Sequence, residues 1–356
     1  MKKNQNLDTE YAFFASSNGY DGFNSYFDNV FSSRNFERVF VLKGGPGTGK
    51  STLMKKIGAY GESMGYYVET ILCSSDANSL DGVILKSNNK SIAVLDGTAP
   101  HERDAIIPGA TDEIVNLGEG WKTSMLQSRK SEIFDLNSKK TRYYKLAYDN
   151  LNLSSIFDRK TSAEIAKYYD FKKASEAITA LCKEVYTSGD GKRNIRLISS
   201  FSKDGYKRLD TLENISDRVI RVKGKFGSEK IFLSLLRADF QKTDMDFTMF
   251  PSPFDKNTVE AIFVEGKKIA IIAVDTDECD INTLDFLDKS ALEDAKDELI
   301  DYRRIRDYFI EKARRHLEKA SEVHFKLEEI YTPAMDFLIL EEIKDTLIEK
   351  CKLTFE

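Results

Sequence analysis

Cysteine, histidine, tryptophan and proline are scarce in this chain of 356 residues, which has four, three, one and six of them. The cysteines Cys73, Cys182, Cys279 and Cys351 lie far apart and form no Cys-x-x-Cys pair. That spacing argues against a zinc ribbon and against a disulfide framework. We therefore expect reduced thiols in a cytoplasmic protein.

Long apolar runs are also missing. No uninterrupted hydrophobic stretch approaches the ~20 residues that span a bilayer, and the segment Met1 to Asp8 lacks the apolar core of a signal peptide. The formal net charge of −5 gives no overall attraction to a polyanion. The composition thus predicts a cytoplasmic globular protein without a membrane partner, and its net charge does not indicate nucleic acid.

The most informative stretch that is present runs from Val39 to Leu53 and reads VFVLKGGPGTGKSTL. Its apolar start predicts a buried strand, and its end has the spacing of a helix. Between them stands Gly-x-x-x-x-Gly-Lys-Ser, in which glycines let backbone N–H groups close around a di- or triphosphate. The positive end of the following helix points at the same anion.

This loop predicts a nucleoside triphosphate site with Mg²⁺ as the metal. Lys50 would supply charge to the β- and γ-phosphate oxygens, and the Ser51 hydroxyl would reach Mg²⁺. No Asn-Lys-x-Asp guanine-reading motif follows, which favours ATP over GTP. The predicted nucleotide-binding residues are Gly44, Gly45, Pro46, Gly47, Thr48, Gly49, Lys50, Ser51 and Thr52.

A Walker B strand is predicted further along the chain, where the apolar run Ile92 to Leu95 ends in Asp96. Such a carboxylate holds Mg²⁺ directly or through water. We therefore expect Ser51 and Asp96 to hold the metal, with Lys50 and Asp96 as catalytic residues. Gly97 follows Asp96, so the adjacent glutamate base of many motor-type ATPases is missing.

Polar residues follow the neighbouring predicted strands, where open α/β sheets usually bind ligands. Asp76, Asp81 and His101 are the resulting candidates for contacts with substrate or water. Asp76 equally fits an Asx turn, and for His101 a solvated or structural loop histidine is the favoured interpretation.

The segment from Trp121 to Cys182 predicts long helices. Its apolar residues are compatible with one stripe, formed by Met125, Ile133, Leu136, Tyr143, Ala147 and Leu151. Its basic residues would either close as a lid on the phosphates or solvate a helix face. They include Arg129, Lys130, Lys139, Lys140, Arg142 and Lys145.

The second half of the chain repeats the first. Ser199-Ser200 matches Ser16-Ser17 at an offset of 183 residues. The stretch from Arg218 to Lys230 aligns with Arg38 to Lys50 at an offset of 180. Helical periodicity recurs from Leu292 to Ile330 and stops before Pro333. At this offset Glu229 replaces Gly49 and Ile231 replaces Ser51. The second copy is therefore predicted not to bind a nucleoside triphosphate with Mg²⁺ in the usual way.

The whole chain resembles a family of bacterial tandem P-loop proteins that are catalogued as predicted ATPases or ATP-binding proteins. Three blocks carry the resemblance, and they run from Val41 to Ser51, from Cys73 to Val83 and from Leu95 to His101. It implies a duplicated phosphate-loop fold, from which the second copy here departs at Glu229 and Ile231.

The predicted fold is α/β, with two tandem P-loop NTPase-like domains. Residues 1–188 would form the domain with the intact loop, and residues 189–356 the degenerate one. Each would have a mostly parallel sheet flanked by helices and a long helical extension.

The predicted function is Mg²⁺-dependent ATP binding with slow ATP hydrolysis. Two alternatives stay open: a small-molecule or nucleotide kinase, and a non-catalytic ATP-dependent switch or assembly module. In the latter case the helical extensions would bind a protein partner or mediate self-association.

Overall fold

The computed structural model describes residues 10–356. The segment Met1 to Asp8, on which the expectation of no signal peptide rests, lies outside the described residues. Within residues 10–356, no helix is both long enough and apolar enough to cross a bilayer.

The first half of the chain forms strands β1 to β8 and helices α1 to α5. The strands are β1 (Ala12–Phe14), β2 (Ser16–Gly19), β3 (Gly22–Ser25), β4 (Arg38–Lys43), β5 (Tyr67–Leu72), β6 (Leu80–Ser87), β7 (Lys90–Asp96) and β8 (Asp112–Asn116). The helices are α1 (Phe27–Val30), α2 (Lys50–Ser63), α3 (Thr123–Ser128), α4 (Lys130–Lys167) and α5 (Phe171–Val185). The short helix α1 begins two residues after the end of β3.

The second half forms strands β9 to β16 and helices α6 to α9. The strands are β9 (Arg193–Ile195), β10 (Ser199–Ser202), β11 (Gly205–Arg208), β12 (Arg218–Lys223), β13 (Phe247–Pro251), β14 (Val259–Val264), β15 (Ile269–Val274) and β16 (Ile281–Asn282). The helices are α6 (Thr211–Ile215), α7 (Ser228–Phe240), α8 (Lys289–Tyr331) and α9 (Phe337–Phe355).

The two halves repeat one sheet topology. The first sheet has the order β1-β5-β6-β7-β4-β8, and the second has the matching order β9-β13-β14-β15-β12-β16. In each sheet one strand, β6 or β14, runs antiparallel to both neighbours while the other pairings are parallel. The sheets are therefore mixed, with five strands in one direction.

A tight turn explains the reversed strand of the first sheet. Asn88 and Asn89 both have positive φ angles, of 51° and 62°. Such a pair of asparagines joins antiparallel strands in a two-residue hairpin. The turn thus sends β7 back beside β6, and the apolar residues Ile92 to Leu95 of β7 are fully buried.

Helices α4 and α8 form a long antiparallel pair that reaches from one sheet to the other. Ala147 and Leu151 of α4 pack with Ala313 and Leu317 of α8, and these pairs are equivalent at a spacing of 166 residues. The predicted helical run from Leu292 to Ile330 is confirmed, since it forms one helix that ends before Pro333.

The helix that follows each member of this pair, α5 or α9, packs on the sheet of the other half, so that the two halves exchange these helices. The side chains of Ile178 and Leu181 on α5 lie in one core with Leu236 of α7, on the second sheet. Conversely, Leu340 and Leu347 of α9 share a core with helix α2, on the first sheet. The packing therefore crosses the predicted domain boundary between residues 188 and 189.

The halves also meet through a reciprocal backbone contact. The N–H of Phe14 donates to the carbonyl of Leu197 at 2.8 Å, and the N–H of Leu197 donates to the carbonyl of Phe14 at 2.9 Å. These residues are equivalent at the offset of 183. A contact in which equivalent residues bond one another is the signature of a two-fold interface.

Truncation at the centre of the helical pair tests this packing. Leu151 is fully buried, whereas Leu153 on the same helix is 42% exposed. We expect Leu151→Ala to lower the free energy of unfolding by about 2–5 kcal/mol, because it removes buried methyl groups and leaves a cavity. Leu153→Ala is the matched control. Equal urea midpoints for the two variants would contradict the packing.

Candidate functional site

The loop between β4 and α2 is held in shape by glycine. Gly49 precedes the first residue of α2 and has a φ of 83°. L-amino acids with side chains seldom adopt this left-handed conformation, which glycine adopts readily. The turn starts α2 at Lys50, as predicted, so the positive end of the helix faces the loop.

The side chain of Lys50 packs against this loop. Its Nζ donates to the carbonyl oxygens of Gly44 and Gly45 at 2.8 and 2.9 Å, and it lies 3.7 Å from Oδ2 of Asp96. Thr48 Oγ1 also donates to the Gly45 carbonyl, at 2.8 Å. The carbonyls of Gly44 and Gly45 thus accept hydrogen bonds from the side chains of Thr48 and Lys50.

Asp96 lies beside the loop because β7 pairs in parallel with β4, with Leu42 opposite Asp96. Its Oδ1 accepts hydrogen bonds from the N–H and hydroxyl of Thr98. Burial raises the pKa of Asp96 above its ordinary value, although Lys50 opposes the shift. Its side chain is 15% exposed, and its Oδ2 pairs with Lys50.

Ser51 joins α2 to the start of β6, because its Oγ accepts a hydrogen bond from the N–H of Leu80 at 2.9 Å. The neighbouring Thr52 is exposed. These two predicted nucleotide-binding residues therefore differ in solvent exposure. Ser51 is half-buried, and Thr52 is open to solvent.

Asp81 and His101 form a buried pair near Asp96. His101 Nε2 lies 3.1 Å from Asp81 Oδ2, and both side chains are 6% exposed. The imidazole stacks on Phe27 with a centroid distance of 4.2 Å. Burial alone would lower the pKa of His101, but Asp81, with a smaller effect of Asp96, raises it above its ordinary value.

Asp76 is used differently from Asp81 and His101. Its Oδ1 accepts from the N–H of Asn78 at 3.0 Å, and its Oδ2 accepts from the hydroxyl of Ser79 at 3.1 Å. This is the Asx turn that the sequence also allowed. The structure therefore gathers Lys50, Asp96, Asp81 and His101 near one another and leaves Asp76 as a turn residue.

The C-terminal part of the chain packs on the loop, which the sequence did not predict. A Cβ built on Gly49 would lie 2.6 Å from Leu340 Cδ2, and one on Gly45 would lie 3.3 Å from the ring of Tyr331. The exchange of α9 onto the first sheet brings these residues there. The Pro333 break was the one sequence signal that the chain turns at this point.

Most basic residues of the helical region face solvent. Five of the six are exposed, and they are Arg129, Lys130, Lys139, Arg142 and Lys145. Lys140 is half-buried, and burial lowers its pKa. The interpretation as a solvated helix face is therefore the better one for the five exposed residues.

The second loop is shorter than the first. Strand β12 ends at Lys223 and helix α7 starts at Ser228, so four residues join them where six join β4 to α2. The residue that precedes α7 is Gly227, with a φ of 87°. Counted from the helix start, Gly227 is equivalent to Gly49 and Glu229 to Ser51. The alignment at a constant offset, which paired Glu229 with Gly49 and Ile231 with Ser51, is therefore wrong within the loop.

Comparisons of the chain with models of known protein families, with curated proteins and with solved structures found no match.

The Asp81 and His101 pair makes a testable prediction about pH. A histidine whose pKa is raised on folding stabilises the protein at pH values below 6.5, its ordinary pKa, and this contribution is lost as the pH rises through the raised pKa. We expect Asp81→Asn to lower the pKa of His101, measured by NMR titration of the imidazole, with His101→Gln assigning the signal. An unchanged pKa in Asp81→Asn would refute the pairing.

Proposed function

We propose that the chain binds ATP with Mg²⁺ at the loop from Gly44 to Thr52 and hydrolyses it slowly. The observation that carries the proposal is the position of Lys50. Its Nζ bonds two loop carbonyls and lies 3.7 Å from Asp96. A lysine under a glycine loop and a carboxylate on the adjacent strand are the parts that phosphate-loop NTPases use.

The residues near the loop fit a magnesium ion. Among residues 10–356 no cluster of three His, Cys, Asp or Glu residues suits a metal, and Mg²⁺ commonly binds one or two protein ligands together with substrate phosphates and water. Ser51 and Asp96 would be those ligands. The bound ion would neutralise charge that develops on the phosphates.

The side chains of the site would divide the work of phosphoryl transfer. The N–H groups from Gly45 to Ser51 would bind the phosphates, and Lys50 would stabilise charge on the transferring group. Asp81, whose Oδ2 lies 3.1 Å from His101 Nε2, would hold the imidazole in place, and His101 would contact substrate or water beside the loop.

The proposal extends to the whole chain. We propose a cytoplasmic protein similar to the bacterial tandem P-loop ATPases, with sequence units 1–188 and 189–356. Only the first unit would bind nucleotide with Mg²⁺, because the second loop has lost two residues and has Ser228 at the position of Lys50.

A second candidate function is an ATP-dependent switch. It is favoured by the packing of Tyr331 and Leu340 against Gly45 and Gly49. A nucleotide in the loop would act on these contacts, and α8 would carry the change toward the second sheet. A hydrolysis-deficient variant that keeps ATP-dependent partner binding would favour the switch over the ATPase.

The lysine provides the direct test of ATP binding. We expect Lys50→Ala to weaken binding of Mg²⁺-ATP by roughly 10- to 100-fold, because a charge-assisted bond to phosphate is worth about 1.5–3 kcal/mol. Lys56→Ala on the same helix is the control, since Lys56 pairs with Glu341 on the surface. Calorimetric titration should also give one Mg²⁺-dependent site per chain. Equal affinities for the two variants, or two Mg²⁺-dependent sites per chain, would overturn the assignment.

The metal ligands test hydrolysis separately from binding. Asp96→Asn should keep the binding of ATP in EDTA and lose about 100-fold or more in phosphate release with Mg²⁺, since metal-assisted charge stabilisation is a major term in phosphoryl transfer. Phosphate release is measured without any acceptor. Unchanged release in Asp96→Asn would rule out this role, and transfer that requires an acceptor would point to a kinase.

A further inference from the structure

A cavity of about 850 Å³ lies beside the second loop. The loop residues Gly224 to Gly227 form one wall, and the first part of α8 forms another. Its size falls in the range of small-molecule sites, which is roughly 300–1,000 Å³. No residue of the function proposed above lies in it.

The second loop is open where the first is covered. A Cβ built on Gly227 would meet no atom closer than 3.8 Å, and that atom is Cδ of Lys230. At the equivalent Gly49 the nearest atom is Leu340 Cδ2, at 2.6 Å. The space beside the second loop is thus accessible to a ligand.

Basic side chains dominate the wall formed by α8. They stand on one stripe of the helix, and they are Lys289, Lys296, Arg303 and Arg306. The loop adds the exposed Lys225, and α7 adds Lys230. Cations on nearby turns of such a stripe, such as Lys296 and Arg303, can both reach one negatively charged group.

Acidic side chains offset part of this charge. Glu293, which also lines the cavity, pairs with Lys296 at 2.8 Å, and Asp307 lies 3.8 Å from Arg303. Asp158 lies between Lys230 at 3.6 Å and Arg306 at 3.3 Å. Burial alone would raise the pKa of Asp158, but these two cations lower it, so the carboxylate stays ionised and neutralises part of their charge. Lys225, Lys296 and Arg303 are the more exposed cations, and an incoming anion would compete with Glu293 and Asp307 for the last two.

Glu229 keeps a phosphate away from the loop backbone itself. Its carboxylate folds over Gly224, and within the described residues its Oε2 has no hydrogen-bond partner. Burial raises its pKa. In the second loop a carboxyl group therefore already occupies the space in which the first loop would bind phosphate. The anionic group of a ligand has to lie toward α8.

Part of the remaining wall is apolar, although Thr161, Arg208, Glu260 and Asp275 also line the cavity. Leu284, Leu292 and Ile300 line it together with Tyr206. A ligand that only carried charge, such as inorganic pyrophosphate, would leave these side chains without a partner. An organic body would remove them from water, which is favourable in proportion to the apolar area buried.

We propose that this cavity binds a small organic phosphate without a metal ion. The phosphate contacts Lys225, Lys296 and Arg303, and the organic body packs against Leu292 and Ile300. This site is separate from the ATP site proposed at the first loop and does not depend on it.

The test uses the full chain with Lys50→Ala, in EDTA, so that metal-dependent binding at the first loop is suppressed. Calorimetry with ADP, ribose 5-phosphate and inorganic pyrophosphate should give binding of at least one organic phosphate below about 1 mM, a weak but measurable affinity. Adding Arg303→Glu should weaken it about tenfold or more, since a charge-assisted contact becomes repulsive.

Arg304→Glu is the matched control. Arg304 is a neighbour of Arg303 on α8, its side chain is 76% exposed, and it does not line the cavity. Binding should be unchanged in this variant. Absence of binding by all three probes, or an equal loss in both variants, would overturn the proposal. Pyrophosphate binding as tight as that of the organic phosphates would refute the role of the apolar wall.

Discussion

The exchange of α5 and α9 between the halves is the constraint on which the rest of the structure depends. Each of these helices buries its apolar face on the sheet of the other half. Burial of apolar surface is the main favourable term in folding, so each half completes its core only with the other present. The antiparallel pair α4 and α8 carries the chain from one sheet to the other. The hydrophobic cluster at its centre includes Tyr20, Phe201 and Leu317.

The same exchange makes the two loops unequal. The first loop lies under side chains that arrive from the end of α8 and the start of α9. The second loop faces a cavity along the start of α8. One helix of 43 residues, about 65 Å long at 1.5 Å per residue, thus touches the neighbourhood of both. A two-fold arrangement of backbones therefore presents two loops with chemically different surroundings.

Local patterns in the sequence were sufficient to predict the elements that surround the first loop. The apolar runs before Lys43 and Asp96 are buried strands, and the glycine spacing fixes the start of α2. The exchange of α5 and α9 could not be predicted, because periodicity identifies an apolar face but not the sheet that covers it. The shortened second loop was also missed. Identical residues at one offset concealed a deletion that only the helix start at Ser228 reveals.

The reciprocal bonds between Phe14 and Leu197 have a further consequence. Joining two subunits of a symmetric dimer into one chain turns their association into an intramolecular event with a high effective concentration. Identical subunits must change both sites together, whereas a fused chain can alter one copy and keep the other. A chain with this architecture can therefore retain Gly49 and Lys50 in one copy while the equivalent loop of the other copy changes in length and sequence.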